Sequence, residues 1–241
     1  MDDAAMPPPI WLAGPHGPIP ARLVGDPARS RAGVLLGHGL SGTMQSQWPE
    51  ARQLAAAGFA TLLPEAPHHG LRADGLLARM ASASGPEARA IFLDILETWA
   101  DEIRVLVDHL AALGATRFAA AGVSMGGHLA LAAPARDPRI EAVLAFSADP
   151  VWDDRPGSPH LAPEAWEGTA LLAITTDGDP VVPPGPMRAF ASILATRFGP
   201  EHAVSLTYPG GHLMDPQDWE DAWARAGTWL GRQFPPSPGR P

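Results

Sequence analysis

Cysteine and lysine are both missing from this 241-residue chain. Without cysteine there are no disulfides, no thiolate metal sites and no thiol nucleophile. Without lysine there is no Schiff-base chemistry and no P-loop of the ordinary kind. All 17 basic residues are therefore arginine, against 26 acidic ones, for a formal net charge of −9. A nucleic-acid partner is not expected from such a balance, since no basic patch stands out. Long apolar runs are also missing, and none approaches the roughly 18 residues that a membrane span needs. The first residues, MDDAAMPPP, lack the positive start and apolar stretch of a signal peptide. The expectation is a cytoplasmic protein with no membrane partner. Its length suits one large domain that buries its core without covalent staples.

What is present is an alternation of short apolar runs with helical patterns, the signature of βαβ units and a mostly parallel sheet. Strands are predicted at Ala21–Val24, Ala32–Leu36, Ala60–Leu63, Phe118–Ala121, Ala142–Phe146, Ala170–Thr175 and Val204–Tyr208. Helices are predicted at Trp48–Ala57, at Met125–Ala133, at Met187–Phe198 and at Pro216–Phe234. One long helix is predicted through Ile91, Ile95, Trp99, Ile103, Leu106, Leu110 and Leu113, a single apolar stripe. Two excursions, Pro64–Pro86 and Ala148–Gly168, fit no regular element, and long excursions in compact domains usually carry function. About nine residues at the N-terminus and the tail PPSPGRP are expected to be flexible.

The segment Gly122-Val123-Ser124-Met125-Gly126 places a serine between glycines, after a predicted strand and before a predicted helix. That context fits a nucleophile elbow, a tight turn that exposes the hydroxyl. A serine hydroxyl is a weak nucleophile and needs a base, a group to orient the base, and donors for the oxyanion.

With this motif the chain resembles the α/β-hydrolase family over nearly its whole length. The resemblance implies a single domain, residues 1–241, with an α/β fold, helices on both faces of the sheet and little or no cap. It implies the order Ser, acid, His. Leu36-Gly37-His38-Gly39 resembles the family's oxyanion loop, which puts one oxyanion donor on Leu40 and the other on Met125; Ser41 replaces Leu40 if the loop register differs by one. His38 would then be structural. In Thr176-Asp177-Gly178-Asp179-Pro180-Val181-Val182-Pro183 the similarity favours Asp179 as the acid, with Asp177 and then Asp149 as alternatives. The base would be His212 in Tyr208-Pro-Gly-Gly-His212. His128, on the helix behind the serine, reads as a packing or polar-network residue. Pro67-His68-His69-Gly70-Leu71-Arg72 resembles a loop of dienelactone-hydrolase-like and prolyl-oligopeptidase-like members, where His69, Gly70 and Arg72 are structural and Arg72 pairs with an acid beneath the site.

These residues imply a carboxylesterase that acts on small esters through Ser124, Asp179 and His212. Ser41, His69 and Trp152 are expected at the substrate pocket, with Leu71, Leu76, Leu77 and Met80 supplying a second wall. No cofactor is expected. No metal is expected either, because His68, His69 and His160 lack a ligand spacing such as H-E-x-x-H. The alternatives are a peptidase or amidase and a non-catalytic binding protein on the same scaffold. The oligomeric state is left open.

Overall fold

A computed structural model of the protein describes residues 6–236. Its strands are β1 (Ile10–Gly14), β2 (Gly17–Val24), β3 (Gly33–Gly37), β4 (Ala60–Pro64), β5 (Phe118–Val123), β6 (Ile140–Phe146), β7 (Ala170–Thr176) and β8 (Ala203–Tyr208). The helices are α1 (Trp48–Ala56), α2 (Leu76–Ser82), α3 (Gly85–Ala100), α4 (Ile103–Ala112), α5 (Met125–Arg136), α6 (Pro184–Phe198) and α7 (Pro216–Gln233). The strands form one sheet in the order β1-β2-β4-β3-β5-β6-β7-β8. Strand β2 runs antiparallel to β1 and β4, and every pairing from β4 to β8 is parallel.

The central parallel strands are mostly apolar because both faces are covered, and every residue of β3, β4 and β7 is buried, whereas the edge strand β8 alternates with exposed Ser205 and Thr207. One core packs Ile95, Trp99, Leu106, Leu110, Leu129 and Trp166 on one face. The other packs Leu54, Phe59, Phe146, Trp223, Trp229 and Phe234. Trp223 stacks on Phe146 with ring centroids 4.5 Å apart. Each fully buried large apolar side chain contributes about 1.5–3 kcal/mol, so two such cores hold the fold without disulfides. Helix α7 begins at Asp215, whose carboxylate accepts the Gln217 N–H at 3.0 Å, with Pro216 in the first position.

Three differences from the sequence expectations have physical causes. The hairpin of β1 with the first half of β2 lies ahead of the first expected strand, Ala21–Val24, in a stretch whose Pro15, Pro18 and Pro20 disfavour strand pairing. Pro18 and Pro20 pair with β1 ahead of Ala21, where the β4 register begins, so the stretch tolerates them. The long helix through Ile91 and Leu113 is two helices, bent at Asp101–Glu102. There the Glu102 N–H bonds Trp99 C=O at 3.1 Å, a tighter turn than an α-helix, while the Glu102 side chain is held by Arg72. Helices α2 and α3 begin inside the first excursion, and the second holds two short 3₁₀ turns, Pro159–Leu161 and Pro163–Trp166. The expected flexible ends fall largely on residues 1–5 and 237–241, outside the described residues; 6–9, 235 and 236 have no regular structure.

The parallel register brings the carboxyl ends of the central strands together. Gly37 pairs with Gly122, Val123 with Phe146, Phe146 with Ile174, and Thr176 with Tyr208. The loops leaving β3, β5, β6, β7 and β8 therefore converge on one edge of the sheet, where open α/β sheets place their ligands.

Candidate active site

Ser124 caps α5 with φ 54° and ψ −115°. A non-glycine residue in such a conformation stores about 1–3 kcal/mol of strain, and it persists only where the surroundings impose it. Here the Ser124 N–H donates to Phe146 C=O at 2.8 Å, and its carbonyl accepts the His128 N–H at 2.9 Å. The flanking glycines answer to a close backbone approach. A Cβ on Gly122 would lie 2.1 Å from the Gly126 carbonyl, and one on Gly126 would lie 2.1 Å from Gly37 O. Strands β3 and β5 and the first turn of α5 therefore interlock only if these positions carry no side chain.

The hydroxyl of Ser124 lies 3.0 Å from His212 Nε2, and His212 Nδ1 lies 2.8 Å from Asp179 Oδ2. The Asp179 side chain is buried, and its Oδ1 accepts the N–H groups of Val181 and Val182 at 2.8 and 2.9 Å. Because that carboxylate accepts from Nδ1, the assigned tautomer leaves the Nε2 lone pair facing Ser124. The two loops are bound to each other: Thr176 Oγ1 donates to Gly211 C=O at 2.8 Å, and the Gly178 N–H donates to Gly210 C=O at 3.0 Å. Asp177 is exposed in the same loop, with its N–H on Tyr208 C=O.

Leu40 follows the β3 loop beside Ser124, and Met125 is the first residue of α5, where a backbone N–H has no partner inside the helix. The loop is held from beneath. His69 Nε2 meets Leu40 C=O at 2.5 Å and its Nδ1 meets Pro67 C=O at 2.8 Å. Burial pushes the His69 pKa down. His38 Nδ1 donates to Gly39 C=O at 2.9 Å, and its Nε2 lies 3.3 Å from Glu65 Oε1. Burial pushes the Glu65 carboxyl up, but His38 and the N–H of Met44 outweigh it and hold it below the usual range. Arg72 forms a two-pronged pair with buried Glu102 at 2.8 and 2.6 Å. Burial dominates at Glu102 and keeps its pKa raised.

Two cavities meet at Ser124, both also lined by Leu40 and Val181. The smaller, about 300 Å³, is walled by Met80, Phe92, His128, Asp149 and Val182. The larger, about 500 Å³, is walled by Ser41, Gln47, His212, Leu213, Met214 and Trp219. His69 and Trp152 lie one layer behind these walls. His69 is fixed against the loop after β3, and Trp152 is wholly buried with its Nε1 donating to Asp149 C=O at 3.1 Å. Of the four residues expected to form the second wall, Met80 does so. Leu76 and Leu77 pack against the core, and Leu71 lies in a separate cleft beside Trp11. Arg89 and Phe92 are pocket residues that no motif marked, and Asp149, weighed in the sequence only as an alternative acid, lines the same cavity.

His128 connects the elbow to the smaller cavity. The Asp149 N–H donates to its Nε2 at 3.3 Å, which leaves Nδ1–H for the Ser124 carbonyl at 2.8 Å. Burial lowers its pKa to about 4. Burial likewise pushes the Asp149 carboxyl above its usual range, against the opposing hydrogen bond from Val151 and the charge of Arg89. Among the described residues, no group of three or more His, Asp or Glu is placed to hold a metal ion, and no helix is long and apolar enough to cross a membrane.

Residues 34–241 match the model of the alpha/beta hydrolase family. The chain belongs to that family. No curated protein sequence matches it. Solved structures share the fold at low identity. A protein from Thermus thermophilus is 20% identical, with a TM-score of 0.73 over 95% of this chain and 98% of its own. A cold-adapted esterase from an Arctic intertidal metagenomic library is 20% identical, with a TM-score of 0.69 over 94% and 93%. Esterase 2 of Thermogutta terrifontis, phosphoramylated by tabun, is 16% identical, with a TM-score of 0.70 over 98% and 100%.

Proposed function

We propose that this chain is a serine hydrolase that cleaves small carboxylic esters through an acyl-enzyme. The observation that carries the reading is the unbroken line of hydrogen bonds from Ser124 Oγ through His212 to Asp179, at 3.0 and 2.8 Å. Similarity to two proteins named as esterases, one of them solved phosphoramylated by tabun, is consistent with it.

In this mechanism Ser124 Oγ attacks the acyl carbon while His212 Nε2 takes its proton. The oxyanion accepts from the N–H groups of Leu40 and Met125, each worth about 3 kcal/mol of barrier. The tetrahedral species collapses, and His212 hands its proton to the departing alkoxide. Water then attacks the acyl-enzyme, gives a proton to His212, and the acid leaves as that proton returns to Ser124. The alkoxide must depart where His212 can protonate it. The larger cavity, which contains His212, therefore takes the alcohol, and the smaller takes the acyl group. At 300 Å³ the acyl side holds roughly ten water-sized groups.

A fluorophosphonate probe and a series of p-nitrophenyl esters of increasing chain length test this. Wild type should label and turn over the shorter esters. Ser124→Ala should keep its melting temperature, lose labelling, and lose about a millionfold in kcat. Labelling that survives in the variant would refute the assignment, and faster turnover of aminoacyl anilides than of esters would turn the reading toward an amidase.

A further inference from the structure

The acyl-side cavity sets four polar side chains, Arg89, Ser124, His128 and Asp149, among apolar ones. Asp149 Oδ1 accepts the Val151 N–H at 2.8 Å, while Arg89 Nη2 donates to the Val151 carbonyl at 3.2 Å. The two side chains thus grip one residue from both sides, and both line the cavity that holds Ser124. Arg89 is also paired with Asp153 through Nε and Nη2, each at 3.2 Å. Asp149 Oδ2 is different. It has no hydrogen-bond partner among the described residues, yet it is not among the buried atoms cut off from solvent. The same cavity is lined by Met80, Phe92, Val181 and Val182.

An acceptor left open beside apolar side chains is costly to cover with a hydrocarbon, because the carboxylate would lose water and gain nothing. A substrate that fills this space well must bring a donor. An ammonium would meet the acceptor but face the Arg89 charge, and a carboxylate would meet Arg89 but face Asp149. A hydroxyl donates and accepts, so it suits both. We infer that Asp149 sets the acyl preference of this site by accepting a hydrogen bond from a hydroxyl on the acyl chain, making hydroxyacyl esters better substrates than the corresponding alkanoyl esters. The inference rests on the ester-hydrolase reading above and on the smaller cavity being the acyl side. The reaction is unchanged: water is added across the ester bond and the hydroxyl itself takes no part.

The test compares ethyl hexanoate with ethyl 3-, 5- and 6-hydroxyhexanoate and with ethyl 6-aminohexanoate, by titration of the acid released. In the wild type at least one hydroxy ester should exceed hexanoate in kcat/KM by about tenfold, chiefly through KM. In Asp149→Asn, Oδ1 still receives the Val151 N–H, but an amide N–H₂ replaces the open carboxylate oxygen; a hydroxyl can then only accept a neutral hydrogen bond there, about half as strong as one to a carboxylate, so the ratio should fall severalfold. Fluorophosphonate titration counts folded, competent sites in both proteins. A hydroxy-to-alkanoyl ratio of one or less in the wild type would overturn the inference while leaving the ester hydrolase intact. So would a ratio that persists in Asp149→Asn, or an amino ester that outruns every hydroxy ester. Failure to label and to turn over any ester would remove both readings together.

Discussion

Replacing Asp179 by Asn tests the orienting role of the carboxylate most sharply. The change is isosteric, so packing is preserved around a side chain that is buried. The geometry decides which way the amide must face. Oδ1 receives two backbone N–H groups, from Val181 and Val182, at 2.8 and 2.9 Å. The Asn carbonyl oxygen must occupy that place, since the opposite orientation would set its NH₂ against both donors and forfeit about 1 kcal/mol for each lost hydrogen bond. The NH₂ then faces His212 Nδ1, 2.8 Å away in the native protein. Two donors cannot share that contact, so His212 shifts its proton to Nε2 and points an N–H at Ser124. The base is disabled without being moved. A fall of about 10⁴ in kcat/KM is expected, equal to about 5.5 kcal/mol of lost transition-state stabilisation. The assay is hydrolysis of p-nitrophenyl butyrate, with thermal melts confirming the fold and Asp177→Asn as the exposed control. Activity within tenfold of wild type in a folded Asp179→Asn protein would refute the reasoning, and an equal loss in Asp177→Asn would move the acid by two residues.

Other expectations follow from burial and close approach. Gly126→Ala places a Cβ against backbone that has no room for it and should cost at least about 1–3 kcal/mol, while Gly227→Ala, in open space on α7, should stabilise by up to about 1 kcal/mol; differential scanning should separate the two by several degrees. His128 has a folded-state pKa of about 4, below its unfolded value of 6.5. Between those values the unfolded chain binds the extra proton, so stability should be full above about pH 6.5 and fall by on the order of 3 kcal/mol toward pH 4. Urea melts across that range should show the slope flatten in His128→Asn, and an unchanged slope would dismiss His128 as its source. Arg72→Met leaves the buried Glu102 without its partner and should lower stability by about 3–5 kcal/mol in chemical melts, with Glu102→Gln costing less.

The sheet was legible because parallel strands buried on both faces appear as unbroken apolar runs, as in Gly33–Gly37 and Ala170–Thr176. The hairpin of Ile10–Gly14 was not, because prolines that signal a loop are tolerated where a strand pairs on one side only. The bend at Asp101–Glu102 left no trace in the apolar stripe, since it accompanies a contact with Arg72, 30 residues away. The serine, aspartate and histidine loops were conspicuous because each needs glycine or proline at fixed positions. The cavities were hidden for the opposite reason: Met80, Phe92, Asp149 and Val182 share no local pattern and meet only after folding.

The contact of Gly37, Gly122 and Gly126 has a mechanical consequence. Three backbones in van der Waals touch leave no slack for relative sliding, so the loop after β3 and the turn bearing Ser124 travel as one rigid piece. Any breathing that admits a substrate then falls to walls held less closely, such as α2, none of whose residues is buried. The Ser124 hydroxyl and the backbone N–H groups of Leu40 and Met125 keep their spacing while the entrance flexes around them.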